Sequence, residues 1–169
     1  FAASAAEVQL AKTGVAKAAL VVAKDADKAA RFGAADLKWH LGRMTGADFR
    51  IITDARPPER FEIRVGRTNR SDAKETFENQ QFKVKIAKDF IELVGRDARD
   101  YGKFRYCPCE VHGLEGENWP GLYEEQGSMY AVYEFLEKQV GVIWADAYDT
   151  GTICPSKPTL EVETGYRLY

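Results

Sequence analysis

Histidine and cysteine are scarce in this chain, with two of the first and three of the second among 169 residues. Neither His40 nor His112 lies in an H-E-x-x-H pattern, so a helix-borne hydrolytic zinc site is excluded. The odd cysteine count permits at most one bridge within the chain, so disulfides do not build this fold. Long apolar runs are also missing. Ala18 to Ala23 spans six residues, whereas a bilayer-crossing helix needs about 20. Charge of one sign is lacking too: 24 Lys+Arg stand against 26 Asp+Glu, for a net charge of −2, and the pI is near 5.8. A nucleic-acid partner would call for a basic excess, and none is present. No phosphate loop G-x-x-x-x-G-K-[ST] and no dinucleotide fingerprint G-x-G-x-x-G occurs. Gly127-Ser128 does not complete a G-x-S-x-G nucleophile turn. Repeats and low-complexity tracts are absent.

What remains is the composition of a globular chain, 45% apolar and 30% charged. The length suits one domain, since single domains hold roughly 100–200 residues. Residues 1–75 carry 14 basic and 10 acidic side chains, while residues 76–169 carry 10 and 16. Neither half concentrates them into a like-charge block, so both read as mixed solvated surface. The small-residue run Ala2-Ala3-Ser4-Ala5-Ala6 fits either a signal-peptidase site or an ordinary N-terminus. Thr164 to Tyr169 ends without a polar tail, as a cut through a longer protein would.

Residues 1–17 are expected to be a flexible segment or an edge strand carrying Val8 and Leu10. The run Ala18–Ala23 predicts a buried strand. Asp25 and Asp27 offer N-cap chemistry for a helix reaching Met44, with Ala30, Leu37, Leu41 and Met44 along one stripe and Gly46 as its stop. Strands are expected at 49–53 and 61–65, a short helix at 72–77, and a hairpin at 82–94. A second helix is expected from 128 to 140, with Ser128 as cap and Gly141 as end. A strand at 142–144, a loop at 152–158 and a strand at 159–163 complete the order. These elements predict an α+β fold: a single mixed, mostly antiparallel sheet with two main helices packed on it.

Between Asp97 and Gln126 lie 30 residues without strong periodicity. Segments this long are often functional. Cys107, Cys109, His112 and the distant Cys154 make a ligand set that zinc accepts, but the one-residue gap between the paired cysteines is too tight for a usual structural site. A bridge from Cys109 or Cys107 to Cys154 would suit an exported protein better. The same loop carries Glu115, Glu117, Trp119 and Tyr123. Rings of this kind stack on pyranose faces and carboxylates accept sugar hydroxyls, so these four are the candidate carbohydrate-binding residues. His40, beside Leu41 on the first helix, reads as a satisfied, partly buried histidine. No metal or cofactor is called for.

Several blocks together carry a family resemblance. Gly127-Ser128-Met129-Tyr130-Ala131-Val132-Tyr133-Glu134-Phe135-Leu136-Glu137 runs into Gly141-Val142-Ile143-Trp144, and Gly151 and Pro155 follow. Upstream stand the helix ending in Thr45-Gly46, the strand Ile63-Arg64-Val65-Gly66, and the hairpin leading into Gly95-Arg96-Asp97. The series resembles the non-catalytic α/β domain that precedes the barrel in bacterial alpha-glucuronidase-like glycoside hydrolases, a domain shared with hexosaminidases. The likeness covers most of residues 18–163, and residues 164–169 would then begin a linker. Ile143 departs from the pattern, standing where relatives often carry arginine. The 97–126 segment is also longer than a minimal member needs. The resemblance implies a secreted, periplasmic or cell-surface setting and a C-terminal catalytic domain as partner. It also implies an accessory role with no catalytic residue on this chain. A stand-alone carbohydrate-binding module is the other reading.

Overall fold

The computed structural model describes residues 6–104, 106, 120–121, 123–145 and 151–169. It has an α+β architecture built on three sheets. The main one has six strands: β3 (Ala19–Val22), β4 (Ile51–Thr53), β5 (Glu62–Val65), β6 (Phe82–Ile86), β7 (Phe90–Gly95) and β11 (Gly165–Leu168), ordered β11-β6-β7-β5-β3-β4. It is mixed, as expected. β3 runs parallel to both β4 and β5, and β5 runs parallel to β7, whereas β6 is antiparallel to β7 and to β11.

A smaller sheet, β10-β1-β2, holds β1 (Glu7–Lys12), β2 (Val15–Ala16) and β10 (Leu160–Glu163), all antiparallel. A third pairs β8 (Ile143–Trp144) with β9 (Thr152–Ile153), so the expected 152–158 loop contains a short strand. Within 164–169, the stretch expected to begin a linker, β11 takes an outer position of the main sheet. Tyr169, just past the strand, exchanges backbone hydrogen bonds with Phe82, and the two rings stack 4.8 Å apart.

Helix α1 (Lys28–Thr45) follows from its ends and its stripe. The Asp27 carboxylate accepts from the Ala30 N–H at 2.8 Å, and Gly46 closes the helix in the left-handed region at φ 73°. Ala30, Ala34, Leu37, Leu41 and Met44 are all buried. Helix α2 (Gly127–Phe135) continues into a π-helical turn, Leu136–Val140, that ends at Gly141 with φ 91°. Both helices cover one face of the main sheet. Their apolar stripes enclose Leu20, Val22, Ile63, Val65, Val84, Ile86, Ile91 and Leu93, and the side sheet adds Val8, Leu10, Leu160 and Val162 to the same core.

The expected helix at 72–77 does not form. Side chains take its backbone groups instead: the Arg67 guanidinium donates to the carbonyls of Asp72 and Glu75, and the Lys74 N–H donates to the Asp72 carboxylate. Local bonds of this kind compete with a helical ladder and win where no apolar stripe supports the helix. The segment from 66 to 81 lies instead as a strap on the sheet face opposite the helices.

Candidate functional site

The start of α2 shows how the chain brings polar groups together. Ser128, expected as the cap, sits inside the helix, and the side chain at the N-cap position, Gln126, makes no capping bond but donates to the Gly121 carbonyl. The capping oxygen comes from 31 residues away. The Asp97 carboxylate accepts from the Ser128 N–H at 2.8 Å and from the Ser128 hydroxyl, while that hydroxyl accepts from the Gly95 N–H at 3.1 Å. The two strands of backbone touch at Gly95 and Gly127. A Cβ on Gly95 would lie 2.6 Å from the Gly127 backbone, so neither position admits a side chain. Burial, then the nearby Asp27 charge, push the Asp97 carboxyl up to about 7 against the opposing bonds from Ser128.

From this neck the first limb of the long segment climbs α1. The Lys28 ammonium pairs with Asp100 at 2.7 Å, holding that half-buried carboxyl below its ordinary range. The Arg31 guanidinium donates to the Gly102 carbonyl and lies over the Phe104 ring. Tyr106 packs edge-on against Phe32 and donates its hydroxyl to Asp36. A stretch without periodicity in sequence is therefore ordered by contacts to a helix read long before it.

Asp36 belongs to the most enclosed ionisable cluster on this side. Burial raises its carboxyl above the ordinary value, and the same enclosure raises the Tyr133 hydroxyl nearby. His40 is buried, as expected of a core histidine. Its Nδ1 donates to the Asp36 carbonyl at 2.9 Å and lies 3.5 Å from the Asp36 carboxylate. Its Nε2 has no hydrogen-bond partner among the described residues. Trp39 and Trp144 pack edge-on against it at 4.7 and 5.7 Å.

A second cluster occupies the open sheet face. Glu62 on β5 takes Arg64 at 3.1 Å and Arg70 at 2.6 Å, and its carboxylate also accepts from the Glu59 N–H. Lys83 on β6 bridges Glu75 at 2.5 Å and Glu92 at 2.7 Å. Burial alone would lower the Lys83 ammonium, but its two carboxylate partners outweigh burial and raise it. Arg70 and Glu75 lie on the strap, so these pairs fasten the strap to the sheet. A cleft of about 380 Å³ remains beside them, with the Phe90 ring under Arg64 and with Lys85 and Tyr166 on its wall.

Of the sequence-predicted site residues, Tyr123 is described, and it is fully exposed beside the neck. Glu115, Glu117 and Trp119 lie outside the described residues, as do Cys107, Cys109 and His112. Cys154 is half-buried, and its thiol lies 3.7 Å from the His40 carbonyl; burial raises it above the ordinary thiol value. Among the described residues no group of three or more His, Cys, Asp or Glu is placed to hold a metal ion. Nor is any helix among them long and apolar enough to cross a membrane. Sequence reasoning missed the Asp36–His40 cluster and the strap. Glu62 and Glu92 gave a faint signal, as acids within strands whose neighbours are otherwise apolar.

No family model matches the chain, and no curated protein does. Among solved structures it is similar to BtGH115A, a family GH115 4-O-methyl-alpha-glucuronidase with specificity for decorated arabinogalactans. That likeness has a TM-score of 0.49 and 14% identity, and covers 96% of this chain but 18% of the other. The chain thus corresponds in length to less than a fifth of that enzyme.

Proposed function

We propose that this chain is a non-catalytic accessory domain of a secreted or surface-exposed glycan-degrading protein, related to the domain that precedes the barrel in alpha-glucuronidase-like hydrolases. In this reading it packs against a catalytic barrel and shapes one rim of its cleft with the 97–126 segment. One observation carries the packing role. Ile143 and Ile153 face each other across the β8–β9 ladder, each 54% exposed, a paired apolar surface that water covers at a cost. The buried ionisable groups support a non-catalytic assignment, because Glu62, Lys83, Glu92 and Asp97 are each taken up by partners that hold elements together.

The experiment is an Ile143→Asp/Ile153→Asp substitution in the full-length protein. The expected result is weaker association of this domain with its catalytic neighbour, seen as separate thermal transitions, with the domain's own midpoint unchanged. A full-length variant that melts and turns over substrate as the parent does overturns the packing role.

A second reading rests on the complete exposure of Tyr123. A ring so placed, with Trp119, Glu115 and Glu117 on the same segment, is suited to holding a saccharide. A Cys109–Cys154 bridge tying that segment to the domain belongs to the same proposal.

A further inference from the structure

The opposite end of the main sheet, where β3, β5 and β7 begin, holds a feature that neither reading uses. Two clefts of about 450 and 520 Å³ open there and share three lining residues, Lys17, Arg60 and Phe61. They therefore adjoin and form one elongated groove. The larger cleft is walled by Lys12 at the end of β1, Lys17 just before β3, Arg60 just before β5 and Lys88 between β6 and β7. None of these four cations is in an ion pair among the described residues. Elsewhere the chain spends its cations differently: Lys28, Lys83, Arg64 and Arg70 all have carboxylate partners. In a protein of net charge −2, four unpaired cations around one groove make a local positive field that a bound anion would neutralise.

The remaining lining tells what kind of anion fits. Asp89 lines the larger cleft, and Asp48 and Glu59 line the smaller. Asp48 and Glu59 already pair with Lys38 and Arg50, but their carboxylates keep lone pairs that accept hydroxyl hydrogens, and with Asp89 they disfavour a uniformly charged chain such as a nucleic acid. Gln9 adds an amide, and the partly buried Phe61 ring supplies an apolar surface where the two clefts meet. A groove mixing free cations, hydroxyl acceptors and one ring suits a linear molecule rich in hydroxyls with anionic groups at intervals. We infer that the Lys12–Lys17–Arg60–Lys88 groove binds an anionic oligosaccharide, bearing carboxylate or sulfate groups. The choice of a saccharide over an acidic peptide rests on the glycan-processing reading above; the choice of an anion does not.

The test titrates the 169-residue chain with four probes: trigalacturonate, a sulfated trisaccharide, neutral cellotriose and triglutamate. Binding would be followed by calorimetry and by amide chemical shifts. Both charged saccharides, or one of them, are expected to bind at least about tenfold more tightly than cellotriose. Shifts should centre on residues 9–19, 59–61 and 88–89, and binding should weaken between about 50 and about 200 mM salt. Lys17→Gln/Arg60→Gln should cost about tenfold and Lys88→Gln about threefold, while Lys74→Gln on the strap leaves binding as it was. The two charged saccharides together tell which anionic group is preferred. Cellotriose binding as well as the charged probes, or shifts centred away from the groove, overturns the proposal. Triglutamate binding more tightly than either saccharide overturns the saccharide assignment and with it the glycan reading of this groove. The barrel-packing role is untouched by either result, because no catalytic domain enters the experiment.

Discussion

The two faces of the main sheet are made by the same strands yet are stabilised in opposite ways. On one, Ile63, Val65, Val84, Ile91 and Leu93 meet two helices and exclude water with apolar surface. On the other, Glu62, Lys83 and Glu92 are buried almost as completely, but by a strap that brings the opposite charges to meet them. Alternation along β5, β6 and β7 produces this division directly, since neighbouring residues point to opposite faces. The lesson is that burial alone does not separate core from function here. The helix face of the sheet is lined by apolar side chains, while the strap face buries Glu62, Lys83 and Glu92 because each has a partner of opposite charge.

The difference can be broken from either side. The largest effect is expected on the helix face: Phe135→Ala empties a fully buried site and should cost about 3–5 kcal/mol by chemical denaturation. A loss under about 1 kcal/mol would mean the helices pack loosely. On the strap face, Lys83→Met should cost about 3 kcal/mol, because it strands the Glu92 carboxylate in a buried position. Adding Glu92→Leu to it should return stability to within about 1 kcal/mol of the parent, since both buried charges are then gone and the more exposed Glu75 can reach water. Failure of that second change to restore stability would show that the network does more than compensate for its own burial.

A third, smaller effect lies at the neck. The folded protein holds the Asp97 proton to about pH 7, whereas an ordinary aspartate gives its proton up near 3.8. Folding therefore takes up a proton between these values, so stability should fall as pH rises from about 4 to about 7. Asp97→Asn should flatten that window, read as thermal midpoints across it. An unchanged slope would assign the proton elsewhere. The smallest effect is at Tyr123, which is fully exposed. Tyr123→Ala should shift stability by less than about 0.5 kcal/mol.

Period and punctuation made much of the fold legible. Asp27 and Gly46 bound α1 as their chemistry demands, and the β6–β7 hairpin follows its alternation. The uninterrupted run Ala18–Ala23 marked a strand covered on both faces, and Val21 indeed lies with Ile52 on the face away from the helices. What stayed hidden was long-range pairing. Nothing local says that β5 will lie between β3 and β7 in parallel, or that Asp97 will cap a helix 31 residues on. The charge network was illegible for the same reason: Glu62 and Lys83 look solvent-facing until Arg70 and Glu75 are folded over them. The candidate sugar-binding residues were chosen by residue type, and of these the structure places Tyr123 alone.

The proposal is that the ionisable residues of this chain hold elements together and that bond-breaking belongs to a neighbouring domain. Its most direct test is turnover of aryl glycosides by the purified 169-residue chain across pH 4 to 8. The account predicts none above the uncatalysed rate. Turnover that disappears with Asp36→Asn, Glu92→Gln or Glu115→Gln, in variants that still fold, would contradict it.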